Sequence, residues 1–294
     1  MCSNDIALLQ PGKAQYNYFP NEKGGVIDDL IVYCLEAQRY LLVVNASNIE
    51  KDWAWLTLQN KNFNAQLTNA SEDYSLLAVQ GPKALEVVQR LTESPLNELA
   101  FYSVCSTTLA GIPDTLVATT GYTGAGGVEI YCKNEAVEEV WNMLFSAGKS
   151  HGILPIGLAA RDTLRLEMGY CLYGHEIDET TSPIAAGLGW VTRPQTDCIN
   201  AAALEHQIKQ GTTTQLVGFE MTERGIPRQD HNLFNLEGGI IGKVTSGTQS
   251  PLLKKAIGLG YVQKEWAAIG TQIAVEIRGK HIMAKVVQLP FYRP

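Results

Sequence analysis

Two adjacent carboxylates at the start of an apolar run are residues whose type and spacing could do chemistry. Asp28 and Asp29 follow Gly24-Gly25-Val26-Ile27 and precede Leu30-Ile31-Val32-Tyr33. The glycines permit a tight turn, and the apolar residues predict a buried strand. An ionised carboxylate at the mouth of such a strand must find hydrogen bonds or shift its pKa. The pair is therefore a candidate site; the alternative is a turn whose carboxylates cap backbone N–H groups and face solvent.

A glycine-rich loop and the strand after it carry another candidate carboxylate. Glycines at 121, 124, 126 and 127 surround Tyr122, so this loop can bring its backbone close to a planar ligand. Glu129 follows in an apolar strand, where it points either outward, in an alternating pattern, or inward. An inward carboxylate suits a flat N–H and NH₂ edge such as that of a pterin or guanine. The loop lacks the Lys-Ser/Thr ending of a phosphate-binding loop, which argues against a nucleoside triphosphate.

Other polar residues stand at the ends of predicted elements. Asn45 ends the strand predicted over 40–44 and is either a turn residue or a ligand. Arg161 and Arg165 lie four residues apart on a helix predicted over 156–167, and with nearby acidic residues they predict surface salt bridges. A polar loop over 173–183 leads towards Trp190, and such loops often border a site.

The elements that must position these residues indicate an α+β core followed by a barrel. Strands are predicted over 14–19, 26–33, 40–44, 74–79 and 114–119, and helices over 48–60, 82–91, 136–147 and 156–167. Strand-turn-helix units of this kind favour a ferredoxin-like sandwich. From about residue 215, short strands separated by turn residues predict a small antiparallel barrel. The predicted domains are residues 1–205 for the core and 206–294 for the barrel, with the hinge over 191–211.

Composition narrows the possible partners. The 294 residues contain 23 Lys and Arg against 30 Asp and Glu, and this net charge of −7 implies no broad basic surface for nucleic acid. Six cysteines include no C-x-x-C pair, so neither a zinc site nor a disulfide framework is expected. Without a signal peptide or a run of eighteen apolar residues, the sequence predicts a soluble, cytoplasmic protein that makes no membrane contact.

Eight ordered blocks resemble the aminomethyltransferase family of the glycine cleavage system, the T proteins, along the whole chain. The blocks are residues 24–33, 42–46, 78–82, 121–124, 157–166, 172–179, 187–190 and 244–251. The resemblance implies a cloverleaf of domains around a ferredoxin-like folate-binding core, with a C-terminal antiparallel β-barrel. It also implies transfer of a methylene group from aminomethyl-dihydrolipoyl-lysine on H protein to tetrahydrofolate, with release of ammonia and without a metal.

The same resemblance assigns roles to single residues. It implies that the carboxylate of Asp29 lies by the reacting nitrogens of tetrahydrofolate and is catalytic. It implies a folate pocket in which Glu129 clamps the pterin amino edge and Arg161 donates to folate oxygens. The other residues that it places in this pocket are Asn45, Tyr122 and Trp190.

Departures from the family pattern leave alternatives open. Family members carry an N-terminal segment ahead of the position of Cys2, and missing core strands would leave sheet edges uncovered, so an inactive truncated fragment is one alternative. Ala125-Gly126 stands where the family usually has a Glu. A folate domain of the dimethylglycine or sarcosine oxidase kind is disfavoured because no flavin-binding G-x-G-x-x-G opens the chain. A folate-dependent relative that supports tRNA modification and iron–sulfur assembly would carry Lys-Gly-Cys-Tyr-x-Gly-Gln-Glu, which residues 168–176 lack.

Overall fold

The computed structural model describes residues 1–293, which fall into two compact units. The barrel unit comprises Met1–Asn4, Tyr18–Asp29 and residues 158–293. The sheet unit comprises Asp5–Asn17 and Leu30–Gly157. The predicted domain boundary between residues 205 and 206 stays a prediction.

The first sheet has three strands and begins with the predicted hairpin. Strands β1 (Lys13–Pro20), β2 (Val26–Glu36) and β3 (Arg39–Val43) lie in the order β1-β2-β3. Helix α1 (Ile49–Asn60) follows, within one residue of the predicted bounds 48–60, and the Asn48 side chain makes no capping hydrogen bond. The hairpin, the third strand and this helix are confirmed.

The second sheet, in the sheet unit, is covered on one face by two helices. In chain order its elements are β4 (Tyr74–Gln80), α2 (Ala84–Gln89), β5 (Val104–Leu109), β6 (Ile112–Ala118), β7 (Gly127–Lys133) and α3 (Val137–Gly148). The strands are antiparallel in the order β4-β7-β6-β5. Val128, Ile130 and Cys132 of β7 are buried in a core with residues of α2 and α3. Because side chains alternate along a strand, Glu129 and Tyr131 point to the opposite face.

The barrel unit confirms the predicted antiparallel barrel. Its elements are α4 (Leu158–Glu167), α5 (Ala201–Gln210), β8 (Thr214–Met221), β9 (Asn232–Phe234), β10 (Ile240–Ser250), β11 (Lys255–Gln263), β12 (Gln272–Ile277) and β13 (Lys280–Val287). The six strands close in the order β10-β11-β8-β13-β12-β9. Apolar residues such as Phe219, Leu233 and Val275 fill its core. Together the elements form the predicted α+β fold with a C-terminal barrel.

Helix α4 is fixed in the barrel unit by Arg165, which makes the predicted ion pair with nearby Asp162 but is buried rather than on the surface. Arg165 is only 1% exposed, and its Nη1 donates to Oε2 of the fully buried Glu176 at 2.8 Å. Its Nη2 donates to Ser246 Oγ at 2.8 Å, and its Nε donates to Asp162 Oδ1 at 2.8 Å. The adjacent Leu166 packs against Ile257 and Leu259 of β11. The covered face of the helix therefore includes Arg165.

The described residues carry free thiols and no candidate metal cluster. All six cysteines are free, and four of them are buried. Within residues 1–293, no group of three or more His, Cys, Asp or Glu side chains could hold a metal ion. None of the helices over the same range is long and apolar enough to cross a membrane.

Candidate functional site

The carboxylate pair lies inside strand β2 rather than in the turn before it. Asp28 is 0% exposed, whereas Asp29 is partly exposed. Neighbouring residues of a strand point to opposite faces of the sheet. The alternative of a solvent-facing turn is therefore wrong, because both carboxylates lie in the strand and Asp28 is buried.

Backbone and side-chain contacts within the barrel unit fix the start of β2. Val26 N donates to Asp178 O at 2.8 Å, and the Tyr173 hydroxyl donates to Val26 O at 3.2 Å. Burial, and then the charges of Glu176 and Asp29, raise the pKa of the Cys171 thiol. The Asp29 carboxylate therefore lies close enough to the buried Cys171 for its charge to act on the thiol.

Glu129 lies in a cluster of hydroxyl groups in the sheet unit. Its Oε2 accepts a 2.5 Å hydrogen bond from Thr120 Oγ1, and the hydroxyls of Tyr33 and Tyr131 lie 3.4 and 3.5 Å from the same oxygen. The two phenols contact each other at 3.0 Å, and the Tyr33 hydroxyl lies 2.8 Å from Thr120 Oγ1. Glu129 therefore points towards these buried hydroxyls, which answers the question that the alternating pattern left open.

The electrostatics of this cluster keep the phenols protonated. Burial, and then the nearby Glu129 charge, raise the pKa of both Tyr33 and Tyr131. A protonated phenol can donate a hydrogen bond to the carboxylate. All three hydroxyls act on Oε2, and no group among residues 1–293 donates to Oε1. The carboxylate is therefore oriented through one of its two oxygens.

The glycine-rich loop before Glu129 packs over the side chain of Gln80. Gln80 Nε2 donates to Thr120 O and Val128 O at 3.2 and 3.1 Å, and its Oε1 accepts from Thr123 Oγ1 at 3.0 Å. A Cβ atom at Gly121 would lie 2.0 Å from Gln80 Oε1. The glycine at 121 thus has a packing reason of its own, independent of any ligand. Tyr122, which follows it, is half-buried.

The remaining predicted site residues are distributed over the two units. In the sheet unit, half-buried Asn45 follows β3, and its carbonyl accepts from Asn48 N at 2.8 Å. In the barrel unit, Arg161 is exposed on α4. Trp190 is 62% exposed in a short 3₁₀ helix, Leu188–Val191. The assignment of these residues to a folate pocket stays a prediction.

Sequence reasoning missed three of the four residues of the hydroxyl cluster. Only Glu129 was predicted, although Tyr131, two residues later on the same strand face, could have been found from the alternation. Tyr33 comes from another sheet, and its ring centroid lies 5.8 Å from that of Tyr131. Such a contact between sheets leaves no signal in local sequence.

The fold defines an α+β protein with a C-terminal antiparallel barrel. The family model of the GCVT N-terminal domain matches residues 1–196, and that of the glycine cleavage T-protein C-terminal barrel domain matches residues 214–293. The chain therefore belongs to the glycine cleavage T-protein, or aminomethyltransferase, family. Its enzyme class is tetrahydrofolate-dependent aminomethyltransferase.

Individual relatives agree with this assignment. The chain is 52% identical to an aminomethyltransferase of Bacteroides thetaiotaomicron over 98% of its own length and 80% of the relative. It is also 52% identical to one of Flavobacterium psychrophilum, over 99% of its length and 81% of the relative. The crystal structure of glycine cleavage system aminomethyltransferase T from Bartonella henselae matches with a TM-score of 0.91 and 35% identity, over 99% of this chain and 79% of that one. The chain thus spans about four fifths of the length of these relatives.

Proposed function

We propose that this enzyme transfers a methylene group from aminomethyl-dihydrolipoyl-lysine on H protein to tetrahydrofolate, giving 5,10-methylenetetrahydrofolate and ammonia. The family supports an aminomethyltransferase of glycine cleavage, with H protein and a folate as partners in general. The observation that carries the finer proposal is Glu129, whose Oε2 is held by hydroxyls while none of the described residues donates to Oε1.

Glu129 is proposed to bind the pterin ring of the folate. The 2-amino group and the adjacent ring N–H present two donors in one plane, which a carboxylate can accept together. Because Thr120 and the two phenols already orient the carboxylate, little side-chain freedom is lost on binding. This pre-organisation favours a flat ligand edge with donors over one without them.

Other residues are proposed to hold the rest of the folate. The guanidinium of Arg161 is exposed and always charged, and it would donate to carboxylate or carbonyl oxygens of the ligand. Trp190 offers an exposed aromatic face. Asn45 and Tyr122 supply polar groups at the end of β3 and in the glycine-rich loop.

Asp29 is proposed to be the catalytic carboxylate. As the lipoyl thiolate leaves, the aminomethyl carbon becomes an iminium-like cation, and one folate nitrogen forms a bond to it. The second folate nitrogen then closes the ring as ammonia leaves; the two folate protons end on the thiol and on ammonia. A negative charge placed beforehand stabilises the cation, and the carboxylate can also receive a proton from the attacking amine.

Replacement of Asp29 tests this assignment. We expect Asp29→Asn to lower kcat for methylene transfer by about 10²- to 10³-fold, the effect of removing one pre-placed electrostatic group. The dissociation constant of tetrahydrofolate, measured by calorimetry, should change by less than about twofold because Asp29 is not assigned to binding. Asp230→Asn, which neutralises an exposed carboxylate of the same unit, is the control. A wild-type kcat in Asp29→Asn would remove Asp29 from the mechanism.

A further inference from the structure

The turn that precedes β2 is built on one buried amide. Asn21 is 7% exposed, and its Oδ1 accepts from the backbone N–H groups of Lys23 and Gly25, both at 2.9 Å. The backbone N–H of Asn21 donates to Gly25 O at 3.0 Å. These bonds close a five-residue turn, Asn21 to Gly25, in which the side-chain oxygen replaces a backbone acceptor.

The barrel contains a second turn with the same local bonds. Asn235 Oδ1 accepts from Glu237 N at 3.1 Å and from Gly239 N at 2.7 Å, and Asn235 N donates to Gly239 O at 2.9 Å. Both turns have the sequence Asn-x-x-Gly-Gly, and the first glycine of each has a positive φ, 92° in one and 86° in the other. The chain therefore carries its own matched copy of the turn.

The first turn is also anchored to another segment of the barrel unit. Asn21 Nδ2 donates to Glu179 O at 2.8 Å. A Cβ atom at Gly25 would lie 1.9 Å from the same carbonyl oxygen, whereas one at Gly239 would meet only the Asn235 side chain, at 3.2 Å. The amide donor and the glycine together bring the turn against the backbone of Glu179.

The anchor continues from Glu179 to the barrel on one side and to β2 on the other. Asp178 O accepts from Val26 N, the first residue of β2, and Asp29 lies three residues further along that strand. Glu176, in the same segment, is tied to Arg165 at 2.8 Å and to Thr245 of β10 at 2.5 Å. Hydrogen bonds of residues 176–178 thus connect the start of β2 to strand β10 of the barrel.

We propose that Asn21 is a positioning residue for the reaction: its amide donor locks the turn onto Glu179 and thereby sets the placement of Asp29 in β2. This inference rests on the proposed catalytic role of Asp29. Asn21 touches no reacting atom in this scheme. Its effect reaches the reaction through the backbone of residues 25–29, and small displacements of a reacting group lower rates steeply.

The test compares Asn21→Asp with Asn235→Asp. Each substitution keeps the side-chain oxygen that closes the local turn, but Asn21→Asp replaces the donor to Glu179 O by an acceptor. We expect Asn21→Asp to lower kcat by about tenfold or more while the KM for tetrahydrofolate stays within about twofold. Asn235→Asp should leave kcat within about twofold of wild type. Equal kcat values for the two variants would overturn the proposal.

Thermal unfolding and a double variant distinguish a positioning role of Asn21 from a loss of folding or an effect independent of Asp29. Thermal unfolding is followed for each variant, and kcat is measured where the protein is fully folded; if Asn21→Asp does not fold, Asn21→Ser is compared with Asn235→Ser instead. In the Asp29→Asn background, Asn21→Asp should cause no further loss of kcat, because residues that act as a unit are not additive. The same loss in both backgrounds would overturn the proposal. A wild-type kcat in Asp29→Asn alone would instead refute the catalytic role of Asp29.

Discussion

Replacing Glu129 by glutamine removes a charge at the proposed pterin acceptor with little change in side-chain shape. In the wild type, Thr120 Oγ1 donates to Oε2, and Oε1 is the oxygen proposed to accept from the pterin. If the glutamine oxygen keeps the Thr120 hydrogen bond, its NH₂ group takes the place of Oε1 and faces the donors of the pterin. If the amide is reversed, a neutral oxygen replaces a charged one. Both orientations weaken the contact with the ligand.

The expected magnitude follows from the loss of a charge-assisted hydrogen bond. Such bonds contribute about 1.5 to 3 kcal/mol. At about 1.4 kcal/mol for each factor of ten, the dissociation constant of tetrahydrofolate should rise roughly ten- to hundred-fold. The Glu129→Gln variant should also discriminate less against pterin analogues that lack the 2-amino group, since those analogues leave the wild-type carboxylate unpaired.

Isothermal titration of tetrahydrofolate and of a pterin without the amino group measures both effects. Glu138→Gln, which changes an exposed carboxylate in the first turn of α3, serves as the control for loss of one negative charge. Thermal unfolding of both variants shows whether the hydroxyl cluster remains folded. Wild-type affinity together with wild-type selectivity in Glu129→Gln would refute the reasoning and place the pterin elsewhere.

Three further predictions concern the barrel unit. Glu176→Gln removes the fully buried partner of Arg165 and leaves it only the exposed Asp162, so it should cost about 3 kcal/mol in urea unfolding. Glu205→Gln, in an exposed pair, should cost less than about 1 kcal/mol, and equal losses would contradict this. Gly25→Ala should lower the melting temperature far more than Gly239→Ala, since only the former meets backbone at 1.9 Å. Burial raises the pKa of Cys2 to about 11. The rate of Cys2 alkylation, followed by mass spectrometry, should therefore keep increasing with pH beyond the ordinary thiol pKa, and a plateau at pH 9 would contradict this.

Much of the fold could be predicted because each element carries its own periodicity. The C-terminal barrel was predicted from short strands separated by turn residues, and the hairpin of β1 and β2 follows from alternating and apolar runs around a glycine turn. Strands β5 and β9 were missed for different reasons. Strand β5 has the sequence Val-Cys-Ser-Thr-Thr-Leu, which lacks a strong apolar signal, and β9 has only three residues.

Side-chain burial at the site could not be predicted from periodicity. Arg161 and Arg165 share a helix and lie one turn apart, yet only Arg161 is exposed, because β10 and the segment carrying Glu176 cover the second arginine. Asp28 and Asp29 also differ in exposure, because they point to opposite faces of β2 and the two faces have different surroundings. The contacts of Glu129 with the hydroxyls of Tyr33 and Thr120 could not be predicted either, since these residues are remote in sequence or lie in a loop.

Comparison of the two Asn-x-x-Gly-Gly turns shows which features of a turn follow from local sequence and which depend on tertiary packing. Their hydrogen bonds are equivalent, so the pattern predicts the turn and the positive φ of its first glycine in both places. The second glycine is required by packing in only one of them, where Glu179 approaches Gly25. That requirement belongs to the segment over 173–179, which is in turn held by Glu176 and the barrel. The placement of the strand that carries Asp29 is therefore a tertiary property of the barrel unit.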